Sequence, residues 1–179
     1  MLTSPRLYQA LLQETFRLNS PKRILLVGAQ IPALAIKVIK SLHNGDELFI
    51  IDGNSTQIAY LKDSLKNEPT YHAKNTQIHF ENKLLWELDR PNYFNFVVLS
   101  YPIDLLSDDI LQKSMESCRS LLVEGGTLSC LEMAWLRKIR SFTTSCWRKN
   151  SCQPVKPTCL ESYIDSFRVY KETIVTNLP

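Results

Sequence analysis

Three stretches of this chain are apolar at nearly every position: 24–27, 48–51 and 96–99. Runs of that length without polar alternation suit strands buried on both faces, because a strand with one wet face would alternate. Residues at helical spacing lie between and around them. The pattern predicts a helix over 5–19, with Leu7, Leu11, Leu12, Phe16 and Leu18 on its apolar side, then strand 23–28, helix 32–43, strand 47–52 and helix 55–67. Strand 76–80, strand 94–99, helix 107–122 and strand 127–133 follow. Asn44-Gly45 closes the second helix, Glu68-Pro69 stops the third, and Gly125-Gly126 marks a turn. Residues 134–149 place Trp135, Leu136, Ile139 and Phe142 at helical spacing among Arg137, Lys138, Arg140, Arg148 and Lys149, which predicts a basic helix. Pro154 and Pro157 make 152–159 a loop, before a short helix over 160–166 and a last strand over 168–176.

Strands alternating with helices require crossover connections. The expected fold is therefore α/β: a Rossmann-like, mostly parallel twisted sheet with helices on both faces. At 179 residues the chain has room for one domain, 1–179, divided into a leading helix (1–20), a core (21–133) and a basic helix, loop and final strand (134–179). A net charge of +3 neither demands nor excludes nucleic acid. No apolar run approaches the roughly 20 residues of a spanning helix, and the start has no signal-peptide pattern. Five cysteines, none in a Cys-x-x-Cys pair, suit reduced thiols in a cytoplasm. Cys146, Cys152 and Cys159 have no histidine at zinc-ligand spacing, so no metal is expected.

On such sheets ligands bind beyond the carboxyl ends of the strands, where strand order reverses. That edge would gather Gly28, Asp52, Asn82 and the Ser100-Tyr101-Pro102 turn. Gly28 ends the first strand, and Asp52 ends the second about 24 residues later, the spacing at which a carboxylate grips the two hydroxyls of a ribose. A full phosphate- or nucleoside-binding loop would have further glycines where Gln30 and Pro32 stand. The loop either holds a ligand with help from the Gln30 amide or is a plain strand-to-helix turn. Asp52 is likewise open between ribose binding and helix capping, because Asn54 and Ser55 start a helix. Asn82 is either an adenine contact or a turn residue. Tyr101 could sit beside a substrate amine by cation–π attraction, or could simply be packed.

Five segments stand in order along the chain: Thr3-Ser-Pro-Arg-Leu-Tyr-Gln-Ala-Leu, Val98-Leu-Ser-Tyr-Pro-Ile, Leu121-Leu-Val-Glu-Gly-Gly-Thr-Leu, Leu131-Glu-Met-Ala-Trp-Leu-Arg-Lys-Ile-Arg and Val175-Thr-Asn-Leu-Pro179. Together they resemble class I S-adenosylmethionine-dependent methyltransferases, and among them bacterial phospholipid N-methyltransferases. The departures are a loop reading Leu26-Val-Gly-Ala-Gln-Ile-Pro, Asn82 beside Glu81 where an acid is usual, and Asn95 for an aspartate. The resemblance implies an S-adenosylmethionine cofactor held by Gly28, Ala29, Gln30, Asp52, Gly53, Glu81, Asn82 and Ser100, with Ser100 and Tyr101 facing the transferred methyl group. It implies an amine acceptor on a phospholipid headgroup. Trp135, Arg137, Lys138 and Arg140 would then meet substrate or an anionic inner membrane face, with the chain a peripheral cytoplasmic protein. Two alternatives stand beside it. One is an adenine N6-methyltransferase of ribosomal RNA, for which Leu99-Ser-Tyr-Pro-Ile lacks the polar first residue and the final aromatic. The other is a non-catalytic scaffold that has lost the cofactor.

Overall fold

The computed structural model describes residues 21–69, 71, 77–102, 106–136, 139–149 and 167–175. The predicted helices 5–19 and 160–166 and the loop 152–159 lie outside the described residues. In chain order the elements are β1 (Arg23–Val27), α1 (Pro32–Ser41), β2 (Glu47–Ile51), α2 (Ser55–Lys66), β3 (Gln77–Glu81), a 3-10 turn (Leu85–Glu87), β4 (Phe94–Pro102), α3 (Asp108–Leu121), β5 (Leu122–Leu136), β6 (Ile139–Lys149) and β7 (Phe167–Val175). The strands form one sheet in the order β3-β2-β1-β4-β5-β6-β7. The pairs from β3 to β5 are parallel, and β6 and β7 add on antiparallel.

The continuous apolar runs divide by parity into two cores. Ile24, Leu26, Leu48, Ile50, Phe96 and Val98 meet the buried stripes of α1 (Leu34, Ala35, Val38, Ile39) and α2 (Ile58, Leu61, Leu65). Their neighbours Leu25, Val27, Phe49, Ile51, Val97 and Leu99 face the other way, onto Leu111, Met115, Cys118 and Leu121 of α3. A strand has two faces and the chain gave both to apolar residues, so both faces had to be covered. Truncating one of these large side chains to alanine would cost about 2–5 kcal/mol.

The three helices begin differently. Pro32 stands in the first turn of α1, where its missing N–H costs nothing, and Ile31 before it offers no side-chain cap. The Asn54 side chain caps α2, its Oδ1 accepting the Thr56 N–H at 2.9 Å. Asp108 and Asp109 occupy the first turn of α3, where the helix dipole favours negative charge.

At the opposite edge of the sheet, one residue before β1 and one before β2, Lys22 and Asp46 are buried together with Nζ and Oδ2 3.3 Å apart. Asp46 also accepts the Lys22 and His43 backbone N–H groups at 3.0 and 2.8 Å, and the ammonium donates to the Ser41 carbonyl at 3.1 Å. A buried ion pair holds only when its remaining lone pairs and protons are satisfied in this way.

Three expectations change. The described residues of 134–149 are not helical: 134–136 finish β5 and Ile139–Lys149 form β6, with Trp135 opposite Arg140 in the antiparallel register. Gly125-Gly126 is not an inter-element turn either. It lies in a bulge where β5 advances from Leu122 to Thr127 while β4 advances only from Phe94 to Phe96. Gly125 takes φ 71°, and a side chain on Gly126 would come 2.9 Å from the Val123 carbonyl oxygen. Ser100-Tyr101-Pro102, expected as a turn, belongs to β4. Between the pairs Val98–Ser129 and Pro102–Leu131 it is β4 that carries the extra residues. Bulges of this kind re-aim side chains near the end of a strand.

Candidate functional site

The sheet order reverses between β1 and β4, and the carboxyl ends of β1, β2, β3 and β4 meet there. Gly28 leaves β1 with φ 99° while its N–H still donates to the Ile51 carbonyl at 2.8 Å. The bulge in β4 brings Ser100 under this turn, and its buried hydroxyl donates to the Val27 carbonyl at 2.8 Å and approaches that of Gly28 at 3.2 Å. A Cβ on Gly28 would collide with Ser100 Oγ and stand 3.7 Å from Tyr101 Cδ1. Glycine is thus required twice here, by the backbone angle and by the hydroxyl of the neighbouring strand.

Asp52 joins the ends of β1 and β2. Its Oδ2 accepts the Ala29 N–H at 2.8 Å, and its Oδ1 accepts the Asn54 N–H at 2.8 Å. The capping role belongs to Asn54, whereas Asp52 ties the glycine turn to the entrance of α2. A carboxylate has about four lone-pair sites, so each oxygen keeps one acceptor position beyond these bonds. Ala29 is buried and Gln30 is exposed, so the two residues after the glycine are sorted inward and outward.

Asn82 and Glu81 follow from β3. Asn82 Nδ2 donates to the Asp52 carbonyl at 2.7 Å. The Glu81 carboxylate is engaged by Lys83 at 2.8 Å and Arg90 at 3.7 Å, and the Arg90 guanidinium lies 4.6 Å over the Phe49 ring. Gly53 is roofed by Leu84: a side chain there would come 2.6 Å from Leu84 Cδ2. Leu84 is 40% exposed, so this part of the edge has an apolar surface that the sequence reading missed. The signal was present, an apolar pair placed directly after the polar Asn82-Lys83.

Tyr101 is half-buried against the α3-side core, and burial pushes its phenol well above the usual tyrosine range. The group therefore stays protonated at neutral pH, able to donate a hydrogen bond but not to act as a base. Asn95, where the resemblance expects an aspartate, uses Oδ1 to accept the Arg23 N–H at 2.8 Å and so holds β4 to β1. Gly28, Ala29, Asp52, Asn82, Ser100 and Tyr101 thus share one linked edge. Trp135 and Arg140 lie on the added hairpin, while Arg137 and Lys138 lie outside the described residues. Among the described residues no histidine, cysteine and carboxylate group has metal-holding geometry, and no helix is long and apolar enough to cross a membrane.

Comparison with solved structures places this architecture. A SAM-dependent methyltransferase from Aquifex aeolicus superposes with a TM-score of 0.57 at 15% identity, over 74% of this chain and 69% of its own. One from Methanosarcina mazei gives 0.56 at 15% identity, over 76% and 60%. The cyclase SpnF gives 0.58 at 20% identity, over 72% of this chain and 44% of its own, so this chain spans less than half of that protein. No family profile and no curated protein matches the sequence. The fold is the Rossmann-like fold of class I methyltransferases. A cyclase among the neighbours is a reminder that this fold does not by itself fix a reaction.

Proposed function

We propose that the chain is an S-adenosylmethionine-dependent methyltransferase whose cofactor lies across the carboxyl edge between β1 and β4. The observation that carries this reading is Asp52: it closes the second strand, faces the glycine turn and keeps an unused acceptor position on each oxygen. The Gly28 turn would bear the amino-acid part of the cofactor, Asp52 the ribose, and the surface of Asn82 and Leu84 the adenine. When bound, the cofactor supplies a methyl group activated by its sulfonium charge. The chain's own task is to orient an acceptor beside Ser100 and Tyr101 and to exclude water. With the Tyr101 phenol protonated and the Ser100 hydroxyl donated to main-chain carbonyls, neither serves as a general base. This favours an acceptor that arrives as a neutral amine. The sequence resemblance supports a phospholipid headgroup as the source of that amine.

Calorimetric titration with S-adenosylmethionine and S-adenosylhomocysteine tests the cofactor. Saturable heat is expected, with Asp52→Ala weakening it by about 1–3 kcal/mol. Absence of heat and of any thermal shift at millimolar ligand would sink the reading. Flotation on phosphatidylglycerol against phosphatidylcholine vesicles tests the lipid, and salt-dependent RNA binding in its place would favour the ribosomal alternative.

A specific observation favours one second reading, a scaffold that keeps the fold without the cofactor. Two residues of the glycine turn already have partners within the protein: the Gly28 carbonyl accepts from the Ser100 hydroxyl, and the Ala29 N–H donates to Asp52. The cofactor titration decides between the two.

A further inference from the structure

Asn82, either an adenine contact or a turn residue from the sequence, turns its amide nitrogen to the protein itself. Nδ2 donates to the Asp52 carbonyl oxygen at 2.7 Å, and the Asp52 N–H is directed to the Glu81 carbonyl at 3.4 Å. The two residues at the end of β3 therefore hold the Asp52 peptide from both sides. The Asp52 carboxylate in turn accepts from Ala29 on the β1 turn and from Asn54 at the start of α2, each at 2.8 Å. Asp52 lies past the last paired position of β2: its N–H bond to Glu81 ends the ladder, and its carbonyl side is held by Asn82. Freed from Asn82, it could rotate and move its carboxylate off both amides.

We infer that Asn82 is a positioning residue: through the Asp52 main chain it sets the Asp52 carboxylate, and through that carboxylate the turn after β1. The inference rests on the proposed cofactor reading only for its ligand arm. The link from β3 to β2 to β1 stands in the protein alone. It differs from a direct adenine contact in which atom matters. A ligand's amino group would need the Asn82 oxygen, whereas the relay needs the Asn82 NH2.

Asn82→Asp separates the two, because at neutral pH it keeps the shape and an acceptor oxygen but has no proton to donate. The experiment is amide hydrogen exchange on the labelled full chain at pH 7, with Asn82→Asp and Asn82→Ala, paired with titration by S-adenosylhomocysteine. The Ala29 and Asn54 amides should each exchange about fivefold faster or more in both variants, the loss of roughly one hydrogen bond, while Leu25 and Leu99 stay protected. The Ala29 amide proton, bonded to a carboxylate, should also move upfield. S-adenosylhomocysteine should bind more weakly to Asn82→Asp by a similar factor, and that factor should vanish in an Asp52→Ala background. Unchanged Ala29 and Asn54 exchange in both variants would overturn the relay. So would an affinity loss in Asn82→Ala that Asn82→Asp restores. If the amides respond as expected while the wild type gives no heat with S-adenosylhomocysteine, the relay holds and the cofactor proposal is what fails.

Discussion

At the scale of single residues, the glycine turn is the point where sequence and structure give different reasons for the same residue. Gly28 was legible as the end of a strand and the start of a turn into a helix. Its contact with the Ser100 hydroxyl was not, because that contact depends on a bulge in β4 that no periodicity announces. Gly28→Ala should cost on the order of 1–3 kcal/mol from the strained φ alone, with the Ser100 overlap adding to it. Ser100→Ala removes a buried donor from the Val27 carbonyl and should cost about 1–2 kcal/mol. Urea denaturation of the two single variants and the double tests the contact. The double should be less destabilised than the sum, because removing the hydroxyl relieves the overlap and leaves only the backbone strain. Strict additivity would mean that the two residues do not meet.

The elements were read correctly wherever one physical signal dominated. Runs such as Ile24–Val27 could only be buried strands, and β1, β2 and β4 lie close to their predicted ranges. The stretch 134–149 failed because two signals competed. Trp135, Ile139 and Phe142 fall at helical spacing, yet Ser141, Thr143, Thr144 and Ser145 are poor helix formers, and Thr, Phe and Trp suit a pleated strand. Pairing with β5 across ten residue pairs decided it. The Lys22–Asp46 pair was missed for a different reason. Each residue precedes its strand by one position, and only the parallel register that sets Arg23 beside Glu47 brings them together. Asp46→Ala should destabilise by about 3–5 kcal/mol, because it leaves a buried ammonium without its counter-charge and takes the acceptor from two backbone amides. Asn54→Ala should cost only about 1 kcal/mol, the usual value for a helix cap. Thermal or chemical denaturation ranks them, and a cap costing more than the ion pair would refute this assignment of roles.

For the molecule as a whole, the sheet that organises the site also sets how the protein answers to alkali. Burial pushes the Cys118 thiol and the Tyr101 phenol far up, and the hydrogen bond to Glu47, reinforced by burial, raises the Tyr93 phenol. Each of these groups is neutral when protonated, and the folded state binds that proton more tightly than the unfolded chain does. Their contribution is therefore complete below the unfolded values, about 8.5 for a thiol and about 10 for a phenol, and is lost as pH rises beyond them. The unfolding free energy should be level through neutrality and fall steadily above about pH 9. Cys118→Ala should start from a lower stability, because it leaves a small void in the core between the sheet and α3, yet its curve should fall less steeply above that pH. Tyr101→Phe should flatten the limb further along. The slope isolates proton uptake from packing, since a void lowers stability equally at every pH. Urea midpoints measured across the alkaline range give that slope directly. Curves running parallel to wild type in both variants would show that neither group is held in its neutral form by the core beneath the site.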